Sequence, residues 1–289
     1  MILFRKNMMI KYAAKKILFK NPRLSTFVCE INFKRKHKQD FSAVPENELN
    51  IIKEIQKNSI YIIPNFVDED FCKKCREEID NLLVKHKEFV QEYSDLRIFG
   101  AEELSDIINQ FATHKFLNKF ANYYNTDETC NAFTLANRIE FNDKSKKLGS
   151  GGGWHRDSLY RQVKAILYLN DVDEKNGAYQ IIKNSHKLRS RLNDIGIGGM
   201  NSTQVRFSDQ QVEKIIQNDP SRLITVKGKA GTLILKDCSA IHRGSPLKEG
   251  IRYALTNYFL FKSELNAQLI KHFSPVVSPE KILRMGSQK

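Results

Sequence analysis

The stretch "GTLILKDCSAIHRGSPLKEGIRYALTNYFLF", residues 231–261, places two β-rich runs on either side of a turn that carries a single histidine. GTLILKD and RYALTNYF are dense in β-branched and aromatic residues, whereas the Gly, Ser and Pro between them favour a turn. Working back along the chain, the same grammar recurs in "AFTLANRIEF" (132–141), "QVKAILYLNDV" (162–172), "GAYQIIKNS" (177–185) and "RLITVKGKAGTLILKD" (222–237). Gly, Asn and Asp turns separate these runs, and Asn176-Gly177 is a hairpin signal. One helix interrupts them, "SDQQVEKIIQN" (208–218), in which Ser208 and Gln211 have the spacing of a capping box.

The front of the chain reads differently. "ENELNIIKEIQKN" (46–58) has helical periodicity, and "SIYIIPNF" (59–66) is a short β-rich run ended by Pro-Asn. Residues 68–87 place Phe71, Cys75, Ile79, Leu82 and Leu83 on one helical face, and a further helical stretch is expected over 101–124. Helices followed by many short antiparallel strands predict a β-sandwich or jelly roll braced by helices.

Within the β-rich half, "GGGWHRDSLY" (151–160) sets His155 and Asp157 two positions apart. Strand side chains alternate faces, so an i, i+2 pair can point into the mouth of a sandwich together. The histidine of the opening stretch, His242, and Arg252, which begins the strand after it, complete a constellation. Two imidazoles and one carboxylate on one side of a metal leave the opposite side open, as Fe(II) requires when it binds a co-substrate and oxygen together. An arginine in the same cavity can clamp a carboxylate with charge-assisted hydrogen bonds.

In order, "SIYIIPNFVDEDFCKKCREEI", "GGWHRD", "YLNDVDEKNGAYQIIKNSHK" and the opening stretch resemble four blocks of the phytanoyl-CoA dioxygenase family of Fe(II)- and 2-oxoglutarate-dependent oxygenases, over about residues 58–262. The resemblance implies a mainly β fold with flanking helices around a double-stranded β-helix, the jelly-roll or cupin-like core. It implies that His155, Asp157 and His242 hold Fe(II), that Arg252 binds the far carboxylate of 2-oxoglutarate, and that Asn137 lies near the co-substrate. The reaction so implied consumes 2-oxoglutarate and O2, releases succinate and CO2, and hydroxylates an unactivated C–H bond of a small molecule. Related halogenases carry Gly or Ala in place of the carboxylate, so Asp157 argues for hydroxylation, or for a desaturation, epimerisation or ring closure by the same chemistry. Lys183-Asn184 departs from the Pro-Gly of the family turn that precedes Ser-His, which bears only on local turn geometry.

The expected substrate is a polar or anionic small molecule. Arg189, Arg191 and Arg206 lie in a long Gly-containing segment after Lys187 that could serve as a lid, where each could receive a phosphate or carboxylate. Trp154, the single Trp, is expected to pack beside the metal loop or meet substrate. His186 reads as a hydrogen-bonded structural histidine, and His37, His86, His114 and His272 as surface or packing residues.

Composition bounds the alternatives. The chain has 289 residues and a formal charge of +14, with a pI near 9.5. Eleven Lys/Arg against Glu30 and Asp40 put +9 of that charge in residues 1–40. Nucleic acid as substrate of the same chemistry would use basic charge, but the excess lies in the N-terminal arm rather than around the expected pocket. A second alternative is a non-catalytic jelly-roll binding module or membrane-surface adaptor. Leu3, Ile10, Ala14, Ile17 and Leu18 have roughly helical spacing among lysines, which suits peripheral contact with an anionic membrane. No apolar run approaches the eighteen or so residues of a membrane span. Five scattered cysteines suggest reduced thiols and a cytoplasmic protein, with Cys72 and Cys75 as helix positions rather than a metal site. The expected organisation is a basic extension over 1–45, the dioxygenase domain over 46–275 and a tail over 276–289.

Overall fold

A computed structural model describes residues 21–36, 38, 40–126, 128–266, 268, 269 and 276. The basic amphipathic segment expected within residues 1–20, His37 and His272 lie outside them. Among the described residues no helix is long and apolar enough to cross a membrane.

The front half supplies α1 (Pro22–Lys36), α2 (Glu46–Asn58), β1 (Ile60–Ile63), α3 (Glu69–Lys85), β2 (Gln91–Glu92), β3 (Leu96–Phe99), α4 (Asp106–Ala112) and α5 (Lys115–Asn125). α3 starts where Asp68 accepts a hydrogen bond from the Phe71 amide, with Glu69 and Asp70 in its first turn. Its Cys72, Cys75, Ile79 and Leu82 are buried, so both cysteines are packing residues, and none of the five cysteines forms a disulfide. The helix expected over 101–124 is instead broken. Ser105 caps α4, and Thr113 closes it by turning its hydroxyl back to the Asn109 carbonyl at 2.7 Å. Such hydroxyls compete with the helix ladder, and His114 then starts α5.

The back half supplies β4 (Thr129–Glu140), the single turn α6 (Ser145–Leu148), β5 (Val163–Tyr168), β6 (Tyr179–Ile182), α7 (Leu188–Gly198), α8 (Asp209–Asn218), β7 (Leu223–Val226), β8 (Leu233–Asp237), β9 (His242–Gly244) and β10 (Ile251–Phe261). Both reciprocal bonds of the capping box at Ser208 and Gln211 are present in α8. The strands form a seven-stranded sheet, β1-β8-β5-β10-β4-β3-β2, and a three-stranded sheet, β7-β6-β9, antiparallel throughout. The expected jelly-roll core braced by helices is what the chain forms.

Alternation along the large sheet decides what faces what. Val163, Ala165 and Leu167 of β5, Leu233 and Leu235 of β8, and Leu255 and Phe259 of β10 pack with Ile52, Ile55, Ile79, Phe111 and Phe120 of the helices. Burying each large aliphatic side chain stabilises the fold by roughly 1.5–3 kcal/mol. The intervening residues point the other way, towards the small sheet. There Tyr168 and Ile234 meet Ile181 and Val226 in a second apolar cluster, while Lys164, Tyr168, Lys236, Arg252 and Tyr258 border a cavity.

The segment after Lys187, expected as a loop able to act as a lid, is largely helical: α7 ends at Gly199 in the left-handed conformation and is tied down by Asp194, which pairs with Arg222 at 2.6 Å.

Candidate metal centre

The cavity between the sheets encloses about 340 Å³, within the range of small-molecule sites. His155, Asp157 and His242 meet at its wall, with one ligand atom of each within 4.8 Å of the others. The loop carrying the first two is not a regular strand. It is stitched to the β9 region by the His155 amide donating to the His242 carbonyl at 2.9 Å, the reverse bond at 2.8 Å, and the Asp157 amide donating to the Cys238 carbonyl at 2.9 Å. These bonds align the side chains, as strand alternation would. The glycines before the loop make room. Gly151 has φ +90°, and a Cβ there would lie 2.6 Å from the His155 ring.

Each imidazole is oriented from behind. His155 Nδ1 lies 2.9 Å from the Gly153 carbonyl and His242 Nδ1 lies 2.9 Å from the Ala240 carbonyl. Both Nδ1 atoms therefore carry the proton, and each Nε2 presents a lone pair to the cluster. His155 Nε2 is 3.8 Å and His242 Nε2 is 3.3 Å from the Asp157 carboxylate. Burial, then the neighbouring His242, pushes the His155 pKa well below its ordinary value. Burial and the Lys236 ammonium push that of His242 down to about 4. Burial alone would raise the Asp157 carboxyl, but Lys164, Lys236 and His242 together hold it well below the usual carboxylate range. At neutral pH the cluster thus offers two neutral imidazoles and one carboxylate, the donor set suited to a divalent iron.

A cation already occupies this neighbourhood. Lys236 Nζ donates to Asp157 Oδ2 and lies 3.0 Å from His242 Nε2, and Lys164 Nζ lies 2.7 Å from Asp157 Oδ1. The position attracts positive charge, and the donor set fits a metal ion. Neither lysine stood out in the sequence, although Lys164 is a single charge inside the apolar run VKAILYL and Lys236 follows the aliphatic LIL directly.

Arg252 and Asn137 border the same cavity. Arg252 donates to the Gly177 carbonyl, and its Nε is buried without a partner. The Asn137 amide donates to Asp95 at 2.7 Å; Asp95 also accepts from Ser150 and, at 2.8 Å, from Arg97. Arg206 borders the cavity as well, its guanidinium held by the Gly151 carbonyl.

The other sequence expectations for substrate contact need correction. Arg191 turns away from the cavity to pair with Glu30 of α1 at 3.2 Å, because α1 packs on α7. Arg189 is exposed on α7 and does not line the cavity. Trp154 is buried with Ile182, Met200 and Phe207 under the Arg243 guanidinium, so it packs beside the metal loop. His186 is the hydrogen-bonded structural residue expected, between Ser59 Oγ at 2.6 Å and the Gln56 carbonyl at 3.0 Å. His114 packs against Phe66, and His86 stacks on Phe89.

Comparison with curated protein sequences finds no match. Solved structures do share the fold. The iron-bound EctD of S. alaskensis is 14% identical, with 87% of this chain and 89% of that chain covered and a TM-score of 0.57. The 2-oxoglutarate-dependent epimerase SnoN of nogalamycin biosynthesis is 15% identical over 75% of this chain and 84% of that one, with a TM-score of 0.55. The carbocyclase SnoK of the same biosynthesis is 14% identical over 76% and 85%, with a TM-score of 0.56. The family model of phytanoyl-CoA dioxygenase matches residues 56–252, more than half of the chain, spanning the first three of the four blocks and the fourth as far as Arg252. With iron-type donors gathered in a cupin-like core, the chain belongs to the phytanoyl-CoA dioxygenase family and is a 2-oxoglutarate-dependent dioxygenase with iron and 2-oxoglutarate as its cofactors.

Proposed function

We propose that His155, Asp157 and His242 hold the iron, that Arg252 receives the far carboxylate of 2-oxoglutarate, and that the enzyme hydroxylates an unactivated C–H bond of a polar or anionic small molecule. The observation that carries this reading is the convergence of three donors, drawn from two distant parts of the chain, onto one cavity wall that also exposes a buried arginine. The net change is a C–H bond, 2-oxoglutarate and O2 converted into an alcohol, succinate and CO2. Bound iron supplies the site at which oxygen is activated as 2-oxoglutarate loses CO2.

The chain's own part is positioning and exclusion of water. Gly153 and Ala240 fix both imidazoles with Nε2 inward. The partnerless Arg252 Nε supplies a donor for a carboxylate in a buried setting, where a charge-assisted hydrogen bond is strong. Asn137, clamped by Asp95, holds a polar wall beside it. No side chain needs to act as a base, so the charged groups of the cavity are free to select and orient.

Anaerobic addition of Fe(II) and then 2-oxoglutarate to the metal-free protein tests the assignment. A weak visible charge-transfer band that disappears in Asp157→Ala is the expected result. A band that persists in that variant removes Asp157 from the ligand set.

A further inference from the structure

Lys164 and Lys236 stand directly opposite one another on β5 and β8, and both are buried, at 5% and 1% exposure. Two ammonium groups in this relation repel, and each loses its hydration. A carboxylate for each would be the stabilising solution. Asp157 alone answers both, through its two oxygens. Among the described residues lining the cavity it is the only carboxylate, against Arg97, Arg156, Lys164, Arg206, Lys236 and Arg252.

The imbalance grows when Asp157 serves a metal. A divalent ion at the cluster adds two positive charges and draws on the same carboxylate, so Lys236 loses its place between Asp157 and His242. The two lysines then face the cavity without a counter-charge. The wall offers them none, since Lys164 already lies 3.6 Å over the Tyr258 ring and the next residues inward on the two strands are Ile166 and Ile234. Nearby, Tyr179, with its ring 5.5 Å from that of His242, carries a buried hydroxyl without a hydrogen-bond partner. Aliphatic side chains would fill these positions at less cost, so the charges need a ligand to justify them.

We propose that Lys164 and Lys236 form an anion subsite beside the metal cluster, which receives a carboxylate or phosphate of a molecule bound in the cavity. The inference rests on the oxygenase reading above and narrows it. If the anion belongs to the primary substrate, that substrate is an acid or phosphate ester oxidised close to its charged group. The same chemistry could come from the keto-acid end of 2-oxoglutarate, and the experiment separates the two sources.

The test uses the full chain loaded with Ni(II), so that no turnover occurs. Calorimetric titrations with 2-oxoglutarate, and then with inorganic phosphate and acetate on the 2-oxoglutarate complex, are compared between the wild-type protein and Lys164→Met/Lys236→Met. Circular dichroism and the thermal midpoint report folding. If the subsite serves the primary substrate, phosphate or acetate binds the wild-type complex one per chain and raises its thermal midpoint. The double variant then binds that anion at least tenfold more weakly, with 2-oxoglutarate affinity changed less than threefold. If it serves the co-substrate, the variant loses at least tenfold in 2-oxoglutarate affinity, and phosphate competes with 2-oxoglutarate in the wild-type protein. A folded double variant in which no affinity moves by more than twofold overturns the proposal. Should the double variant not fold, Lys164→Gln and Lys236→Gln singly are read by the same criteria. Wild-type protein that fails to bind Ni(II) at all refutes the metal assignment instead, a result distinct from normal binding of metal and 2-oxoglutarate with the lysines irrelevant.

Discussion

The two faces of the large sheet are made from the same strands, one residue apart, and they obey opposite rules. On the helix side Val163, Ala165, Leu167, Leu233, Leu235 and Leu255 form a dry aliphatic layer whose energy comes from area removed from water. On the cavity side Lys164, Lys236 and Arg252 are nearly as buried, yet contribute charges that only Asp157, backbone carbonyls or a ligand can answer. The helix face secures the fold, and the cavity face spends part of that stability on a site. A backbone that alternates every residue lets the two requirements coexist without interfering.

The sharpest way to break the comparison is at Asp157. Asp157→Ala leaves two buried ammonium groups unanswered, which costs on the order of 3–5 kcal/mol in the metal-free protein. It also removes a metal donor, so loss of Fe(II)- and 2-oxoglutarate-dependent succinate release is expected together with a lowered urea midpoint. Leu235→Ala on the opposite face, next to Lys236, should cost about 2–5 kcal/mol through a cavity, while the folded fraction keeps its affinity for Ni(II) and 2-oxoglutarate. If both variants altered stability and ligand binding alike, the separation of faces would not hold.

Arg252→Leu sharpens the contrast within the cavity face. Losing a charge-assisted pair worth about 1.5–3 kcal/mol should raise the apparent 2-oxoglutarate constant tenfold or more, and an unaltered constant takes Arg252 out of the co-substrate site. A pH titration follows in size. His155, His186 and His242 are all held neutral by burial, with folded pKa values depressed below the unfolded value near 6.5. Below that value the unfolded chain binds protons that the native state refuses, so stability is full above about pH 6.5 and falls on acidification. His242 alone, at about 4, accounts for about 2 kcal/mol lost by pH 5. Urea midpoints of the metal-free protein at pH 7 and pH 5 check this, and equal midpoints would contradict it. The smallest effect is expected far from either face. Ser208→Ala removes one half of the α8 capping box and should cost about 1 kcal/mol, with metal and 2-oxoglutarate affinities unchanged in calorimetry.

Much of this arrangement was legible residue by residue. The β-rich runs map onto β1, β4–β8 and β10, α8 begins at the expected capping box, and His155, Asp157 and His242 converge, while β9 falls in the stretch expected as a turn. Local rules succeed there because caps, turns and β-propensity act over a few residues. They fail where neighbours far along the chain decide. The helix expected over 101–124 is broken at Thr113, the lid is the helix α7, and Arg191 is engaged by Glu30 from α1.

By itself the sequence determined most of the β-rich runs and their order, the capping box of α8, the donor types available to a metal and their family pattern, since these follow from side-chain chemistry and short-range backbone preference. Only the tertiary structure decided that two lysines face the same carboxylate, that Arg252 keeps a buried donor without a partner, and which of the three candidate arginines reaches the cavity. Strand alternation fixes which side a residue takes, but the sheet register and the packing of α1 on α7 determine what it meets there, and those depend on contacts between residues far apart in the chain.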